Sequence, residues 1–270
     1  TFMINRLLEL LAPTGLGLVC LAIGLSLFQL WQPVVGFFPP GVIPFEKVLG
    51  LLPATYFRPA HLAWILVLGL FYFPLGEGTA RRLLDLLFAA AVIWSVLRVL
   101  QFDYQSLDHL LNGLSTQDLL AGMVIIFVTL EVARRSVGMV MTLVGLTFIL
   151  YSLYGNYLPD VVASKGFSIE RMVRFQIFTN AGLFGAPLGI AAGAVFGFVL
   201  FGAFLQTTGA GKFLIDLSFA LAGRYRGGPA KASVIASAAM GSISGSAIAN
   251  TVTTGSLTIP MMKQLGYTPS

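Results

Sequence analysis

Long runs of apolar residues, separated by short polar segments, dominate the sequence. A helix needs roughly 17–25 mostly apolar residues to cross a hydrocarbon core of about 30 Å. Six runs have that length, and they lie near residues 13–36, 57–74, 83–101, 117–135, 137–158 and 183–208. The pattern therefore predicts an all-α polytopic membrane protein with about six transmembrane helices.

The composition agrees with this architecture. Of the 270 residues, 57% are hydrophobic and only 10% are charged, whereas a soluble domain carries roughly 25% charged residues. The net charge of +5 comes from lysines and arginines that lie mostly between the apolar runs. These residues form no stripe with interleaved aromatic residues, so the protein is not expected to bind nucleic acid. Its apolar runs instead predict that it contacts the lipid bilayer.

The positions of the arginines favour a cytoplasmic N-terminus. Residues 75–82 and 131–136 hold two arginines each, whereas residues 102–118 hold three aspartates and no lysine or arginine. Cytoplasmic loops carry the excess of basic residues in multi-pass membrane proteins. The chain starts at Thr1 and stops soon after a polar stretch, so we interpret it as a fragment of a longer protein.

Two segments between the apolar runs have an amphipathic pattern. Ser168 is a suitable N-cap for a helix over 169–180, in which one apolar face would contain Ile169, Met172, Val173 and Ile177. A second helix is predicted over 212–222, with Gly223 as its C-cap. Both are expected to be interfacial amphipathic helices lying flat on the bilayer, although ordinary connecting loops are the alternative.

The composition changes near residue 181. Residues 182–266 contain fifteen of the thirty glycines, and Gly185, Gly189, Gly193 and Gly197 are spaced by four. Such a row of small residues lets helices pack closely in lipid. We therefore predict a scaffold region of about five spans over 1–158, a linker with an amphipathic helix over 159–180, and the start of a transport domain over 181–270.

The last apolar segment, residues 232–262, is unsuited to be a plain transmembrane span. It contains no charged residue, but it holds ten serines and threonines together with Asn250. Glycine and serine make residues 241–246 a poor helix and a good turn. Two short flanking helices, 232–240 and 247–259, would then form a C-terminal re-entrant helical hairpin over 231–262, with unwound backbone protected by protein or facing a water-filled cavity.

Such a hairpin tip has the chemistry of a binding site. The first half-helix exposes carbonyl groups and the second exposes N–H groups, which suit a small hard cation and an anionic substrate respectively. The candidate ligands of a metal ion, Na⁺, are Ser242, Ser244, Ser246 and the carbonyl groups around Gly245. Asn250 offers both an acceptor and donors, and Thr253 and Thr254 follow about one turn later. The alternative is a single span in which Gly241-x-x-x-Gly245 serves helix packing.

Enzyme signatures are absent from the sequence. Ile243 occupies the central position that a nucleophile elbow reserves for serine. His61 and His109 are too far apart for a metal motif, and each is expected at a membrane interface. Asp85 and Glu131 lie near span ends beside arginines, and the i,i+4 spacing of Glu131 and Arg135 predicts an ion pair. Besides a secondary transporter, the membrane subunit of an ATP-driven importer or another non-enzymatic membrane scaffold stays possible.

The hairpin segment resembles a known family. Residues 242–256 (SISGSAIANTVTTGS) and residues 259–263 (IPMMK) are similar to the first hairpin of the membrane subunit of tripartite ATP-independent periplasmic (TRAP) transporters. Further similar segments are LEVARR over 130–135 and RYRGGPAK over 224–231. The resemblance is specific over about 120–270, and it is closest to fused small/large permeases that work with TAXI-type solute-binding proteins.

The resemblance implies a secondary importer in the bacterial inner membrane. A periplasmic solute-binding protein of the TAXI type would deliver an organic anion, usually a carboxylate, and a sodium or proton gradient would drive its uptake. No cofactor other than that coupling ion is expected. The resemblance places Ser242, Ser244, Gly245, Ser246 and Asn250 at the tip of the hairpin. Dicarboxylate- and sialate-type relatives often have aspartate where Asn250 stands, so the coupling ion is left open.

Overall fold

A computed structural model describes residues 15–38, 50–76, 78–104, 113–244, 247–264 and 266–267. All regular structure in these ranges is helical. The helices are, in chain order, Leu16–Gly36 (α1), Ala54–Tyr72 (α2), Thr79–Leu100 (α3), Thr116–Ser136 (α4), Met139–Tyr154 (α5), Ile169–Ile177 (α6), Ala186–Ile190 (α7), Phe196–Thr207 (α8), Ala210–Ala222 (α9), Gly228–Ser244 (α10) and Ala247–Gln264 (α11).

Six helical segments in the described part of the chain are long and apolar enough to cross a membrane. The first four are α1 to α4, and the fifth is α5 extended by a short 3₁₀ turn. The sixth is formed by α7 and α8, which a π-helical turn over Ala191–Val195 joins. The predicted all-α polytopic membrane architecture is therefore confirmed.

The chain forms two compact units, residues 1–193 and residues 194–270. In the first unit, α2, α3, α4 and α6 contribute a shared apolar core that includes Leu70, Val92, Ile125 and Val173. The predicted linker over 159–180 separates a scaffold region from a transport domain. This functional division of the chain stays a prediction.

Polar side chains connect α1 to α2 inside the first unit. The indole N–H of Trp64 donates to the carbonyl oxygen of Leu21 at 2.9 Å. The amide of Gln29 forms a hydrogen bond with the ring of His61, and both side chains are buried. The expected position of His61 at a membrane interface stays a prediction. A buried histidine is accommodated here because α1 supplies a hydrogen-bonding partner at the same level.

Two ion pairs join α3 and α4, one near each end of this helix pair. Arg98 binds Asp118 at 2.8 Å, and Arg135 binds Asp85 at 2.6 Å. Arg135 also binds Glu131, as its spacing in the sequence predicted. Asp85 pairs with Arg135 rather than with the arginines that precede it in sequence, because the packing of α3 against α4 brings these two buried side chains together.

Helix α6 begins as predicted, because the Ser168 hydroxyl accepts a hydrogen bond from the backbone N–H of Arg171. Met172, Val173 and Ile177 are buried, but Ile169 is exposed, so the predicted four-residue apolar face is shorter by one residue. The buried face packs against α4.

We expect Gly122→Ala in α4 to destabilise the first unit by about 1–3 kcal/mol, the usual range for overpacking a tight core. A methyl group at this position would clash with Cγ1 of Val173, so Val173 or the whole of α6 would have to move. Thermal unfolding of the purified protein would measure the loss, and hydrogen exchange would locate it in α6. Gly197→Ala in α8 is the matched control, since no atom of the residues that the structure describes lies within 4 Å of the added methyl group. Equal stability of the two variants would contradict the predicted clash.

The predicted row of four packing glycines is not one continuous face. Gly185 is the N-cap of α7 and lies outside the helix. A methyl group at Gly189 would lie 2.9 Å from Nε of Arg58. Gly193 and Gly197 have open space beside them among the residues that the structure describes. The π-helical turn over Ala191–Val195 shifts the helical register between the second and fourth glycines, which explains why their environments differ.

Candidate functional site

The predicted hairpin is present as two helices, α10 and α11, which pack against each other. Two residues connect them, Gly245 and Ser246, and both lie outside the described residues. Because these two helices pack against each other, a single straight span is excluded. The predicted turn over 241–246 is too long, however, because α10 continues through Ser244. Within this last turn of α10 the Ser242 hydroxyl donates to the carbonyl oxygen of Ala239 at 2.7 Å, in its own helix.

Helix α9 supports the hairpin from one side. It packs against α10, and a methyl group at Gly211 would lie 3.2 Å from Cε of the buried Met240. Gly223 ends α9 as predicted, although its φ of −61° is right-handed. The turn to α10 instead places Gly227 in the left-handed region, at φ +72°, where glycine is favoured because it has no Cβ. The turn thus directs α10 back along α9.

The side chain of Asn250 links the two arms of the hairpin. Its Nδ2 atom donates to the carbonyl oxygen of Ser237 at 2.9 Å and contacts the hydroxyl of Ser237 at 3.0 Å. Because a backbone carbonyl can only accept, the atom that faces Ser237 must be the NH₂ group of the amide. The orientation of the Asn250 amide is therefore fixed by its surroundings.

The other atom of that amide, Oδ1 of Asn250, is buried and has no hydrogen-bond partner among the described residues. A buried carbonyl oxygen without a partner costs free energy, and such atoms are uncommon in folded proteins. An oxygen of this kind is a suitable ligand for a cation or for a donor group of a substrate. Asn250 lies in the first turn of α11, so this oxygen is close in sequence to the tip.

Two threonines, Thr254 and Thr258, lie on the same face of α11 as Asn250, further from the tip. The hydroxyl of Thr254 donates to the carbonyl oxygen of Asn250 at 2.6 Å, and that of Thr258 donates to the carbonyl oxygen of Thr254 at 2.8 Å. Both threonines are buried. Their hydroxyl protons are used within the helix, so Thr254 can offer a ligand only its oxygen lone pairs.

The remaining predicted site residues are placed differently. Ser242 is exposed and its hydroxyl binds its own helix backbone rather than pointing to Asn250. The side chains of Ser244 and Thr253 lie outside the described residues, as do Gly245 and Ser246. The structure thus brings Asn250 and Thr254 to one helix face and places Ser242 elsewhere.

The ends of two helices meet at the tip, and each end carries unsatisfied backbone groups. The last four carbonyl groups of α10 and the first four N–H groups of α11 have no partner within their helices. The helix dipoles add partial negative charge at the end of α10 and partial positive charge at the start of α11. A cation beside the first and an anionic group beside the second would both be stabilised.

Sequence reasoning missed one residue of this arrangement, Ser237, which is the partner of Asn250. Gly241 lies beside the same amide, since a methyl group there would lie 3.4 Å from Nδ2 of Asn250. Ser233, Ser237 and Gly241 are spaced by four in α10. This spacing of small residues in the sequence indicates a helix face against which another helix can pack.

Comparison with known proteins identifies relatives of the second half of the chain. A protein-family model described as "Tripartite ATP-independent periplasmic transporter, DctM component" matches residues 124–270. A putative TRAP transporter large permease protein of Haemophilus influenzae is 39% identical over 70 residues, which is 26% of this chain and 16% of that protein. The 2,3-diketo-L-gulonate TRAP transporter large permease protein of Escherichia coli has the same identity over 70 residues and the same coverage. An uncharacterised protein of Salmonella typhimurium is 37% identical over 73 residues, 27% of this chain and 17% of its own length.

The matched segment thus spans about one-sixth of the length of these curated relatives. No solved structure matches the chain. The family model begins inside α4 and continues to Ser270, so it covers more than half of the 270 residues and all of the hairpin. This chain therefore belongs to the DctM family of membrane components of TRAP transporters.

Proposed function

We propose that this chain is part of the permease of a secondary importer, in which an ion gradient drives the uptake of an organic carboxylate. The observation that carries the proposal is the hairpin, whose two helix ends meet beside Asn250 with one amide oxygen buried and unpartnered. Broken helices of this kind bind substrates and coupling ions in transporters, because their ends supply backbone ligands within the membrane.

The anion would lie at the start of α11, where N–H groups and the positive end of the helix dipole face it. A carboxylate matches that site because its two oxygens accept several hydrogen bonds. The relative from Escherichia coli is named for 2,3-diketo-L-gulonate, which is an organic carboxylate. That name supports the same chemical class of cargo here.

Sodium is the coupling ion that the hairpin favours. Residues 232–262 include no aspartate, glutamate, histidine, lysine or arginine. This segment therefore has no titratable side chain that could bind and release a transported proton. Its available ligands are carbonyl, hydroxyl and amide oxygens, which suit a hard cation. We assign Oδ1 of Asn250 and the terminal carbonyl groups of α10 as ligands. Ser244 and Gly245 are kept from the sequence prediction, whereas Ser242 would contribute its backbone carbonyl, because its hydroxyl binds Ala239.

The partner would be a periplasmic solute-binding protein, and the resemblance of the hairpin favours the TAXI type. In this arrangement the permease lies in the bacterial inner membrane, with its N-terminus in the cytoplasm. The arginines that follow Gly78 and those that end α4 support this orientation.

Uptake by the full-length permease in proteoliposomes tests the proposal. A panel of radiolabelled carboxylates, 2,3-diketo-L-gulonate among them, would be supplied on the cognate solute-binding protein. We expect an inward Na⁺ gradient to raise uptake by about tenfold or more, as for a transporter whose ion and substrate sites are coupled. Replacement of Na⁺ by K⁺ should remove the effect, and ATP should not be needed.

Uptake that requires ATP inside the vesicles and ignores the Na⁺ gradient would instead support the ATP-driven importer. Uptake driven by a proton gradient alone would refute sodium as the coupling ion, but it would still support the proposal of a secondary importer.

A further inference from the structure

We propose that a groove between α4, α5 and α6 binds one phospholipid with an anionic headgroup. The groove has an inner part with a volume of about 230 Å³ and an outer part of about 540 Å³. Ser152, Met172 and Gln176 line both parts, so we treat them as one groove. All of its lining residues belong to the first unit.

The inner part is apolar. Its walls include Ile126 and Leu130 from α4, and Phe148 and Ile149 from α5. Gly145 opens it further, because a glycine has no side chain to fill the space between the two helices. From Ser152 to Gly145 the groove follows α5 for seven residues, or about 10 Å of helix. This shape and chemistry suit part of an acyl chain.

The outer part carries positive charge. Arg171 and Arg174 line it, and none of the described residues that line it is acidic. These arginines are three residues apart on α6, so they lie on the same side of the helix. Arg171 lies over the ring of Phe167, with Cζ 5.3 Å from the ring centroid. The acidic residue of the helix, Glu170, accepts a hydrogen bond from the backbone N–H of Leu114 and does not line the groove.

Aromatic residues beside the mouth of the groove indicate where the lipid headgroups would lie. Tyr151, Tyr154 and Tyr157 cluster at the adjoining end of α5 and are all exposed. Tyrosines are enriched at the membrane–water interface, where the ring contacts lipid and the hydroxyl contacts water. The amphipathic α6 follows directly and presents both arginines at this level. An acyl chain in the inner part would therefore place its phosphate beside Arg171 and Arg174.

Native mass spectrometry of the full-length permease in mild detergent tests this assignment, with added phosphatidylglycerol as the probe. Phosphatidylcholine with identical acyl chains is the comparison lipid, because it has the same phosphate and no net charge. We expect one phosphatidylglycerol to bind about tenfold more tightly than phosphatidylcholine, because two basic side chains face the headgroup. A large excess of inorganic phosphate should not displace it, since the acyl chain contributes to binding.

Two variants separate the parts of the groove. Arg171→Gln combined with Arg174→Gln should remove the preference for phosphatidylglycerol, and lysine at both positions should restore most of it. Ser152→Trp, placed where the two parts adjoin, should weaken binding of both lipids. Arg224→Gln combined with Arg226→Gln is the matched control, because it removes two exposed arginines from the second unit and should leave binding unchanged.

Three results would overturn the assignment. They are equal binding of the two lipids to the wild-type protein, wild-type retention of phosphatidylglycerol by the glutamine double variant, and displacement of the lipid by inorganic phosphate alone.

Discussion

Replacement of Asn250 by alanine is expected to lower uptake on the order of 100-fold, since hydrogen bonds to charged groups contribute about 1.5–3 kcal/mol and this residue makes several contacts. The substitution removes the oxygen that we assign to the ion, Oδ1 of Asn250, and both contacts with Ser237. Uptake of the labelled carboxylate at saturating Na⁺, normalised to permease in the vesicles, is the measurement. The amount of protein in the membrane should stay near the wild-type level.

Ser237→Ala is the control that separates ligand binding from the link between the arms. It removes the hydroxyl contact but keeps the backbone carbonyl that accepts from Nδ2 of Asn250. If Asn250 provides an ion ligand, Ser237→Ala should cost less than about tenfold, since one ordinary hydrogen bond contributes about 0.5–1.5 kcal/mol. Similar losses in the two variants would show that the link between the arms, and not the oxygen of Asn250, is what uptake needs.

The same loss is expected for Ser244→Ala, from its position at the tip in the sequence. Wild-type transport by both Asn250→Ala and Ser244→Ala would contradict the assignment of the tip as the binding site.

Replacement of Arg135 by methionine is expected to destabilise the first unit by about 3–5 kcal/mol, the usual cost of removing one partner from a buried ion pair. Its side chain is only 4% exposed and pairs with Asp85, whose side chain is 2% exposed. Without Arg135, Asp85 keeps the hydrogen bond from the backbone N–H of Leu75 but loses its countercharge. Folded yield and resistance to thermal unfolding in detergent would report the loss.

Arg134→Met is the matched control for this prediction. Arg134 binds the same glutamate, Glu131, but its side chain is 37% exposed, so water can replace the interaction. Its loss should change stability little. The double variant Asp85→Leu with Arg135→Met should recover most of the stability, because it leaves no unpaired charge in the α3–α4 contact. A double variant as unstable as Arg135→Met alone would show that the arginine acts through packing rather than charge.

Much of the architecture could be predicted from the sequence, since length and apolarity alone decide whether a helix can cross a membrane. The six spans, the cap at Ser168 and the ion pair of Glu131 with Arg135 depend on local sequence, and all are confirmed. The serines and glycines of the hairpin segment likewise predicted, from local sequence, a break between two helices. The prediction of a transporter component rather than an enzyme is confirmed by the family to which the chain belongs.

Contacts between residues that are distant in sequence could not be predicted. The partner of Asp85 lies 50 residues away, and His61 is satisfied by Gln29, 32 residues away. Local patterns carry no information about such pairs. The turn at the hairpin was predicted too long because serine and glycine have low helix propensity, whereas the packing of α10 against α9 and α11 keeps residues 241–244 helical.

The ion pairs at both ends of α3 and α4 bear on how the protein enters the membrane. Each helix carries an acidic and a basic residue that form these pairs, and an unpaired charge within a span is costly to transfer from the translocon into lipid. Once the two helices are side by side, each charge has its partner. We therefore expect α3 and α4 to leave the translocon together as a helical hairpin, with α3 held at the exit site until α4 has been synthesised.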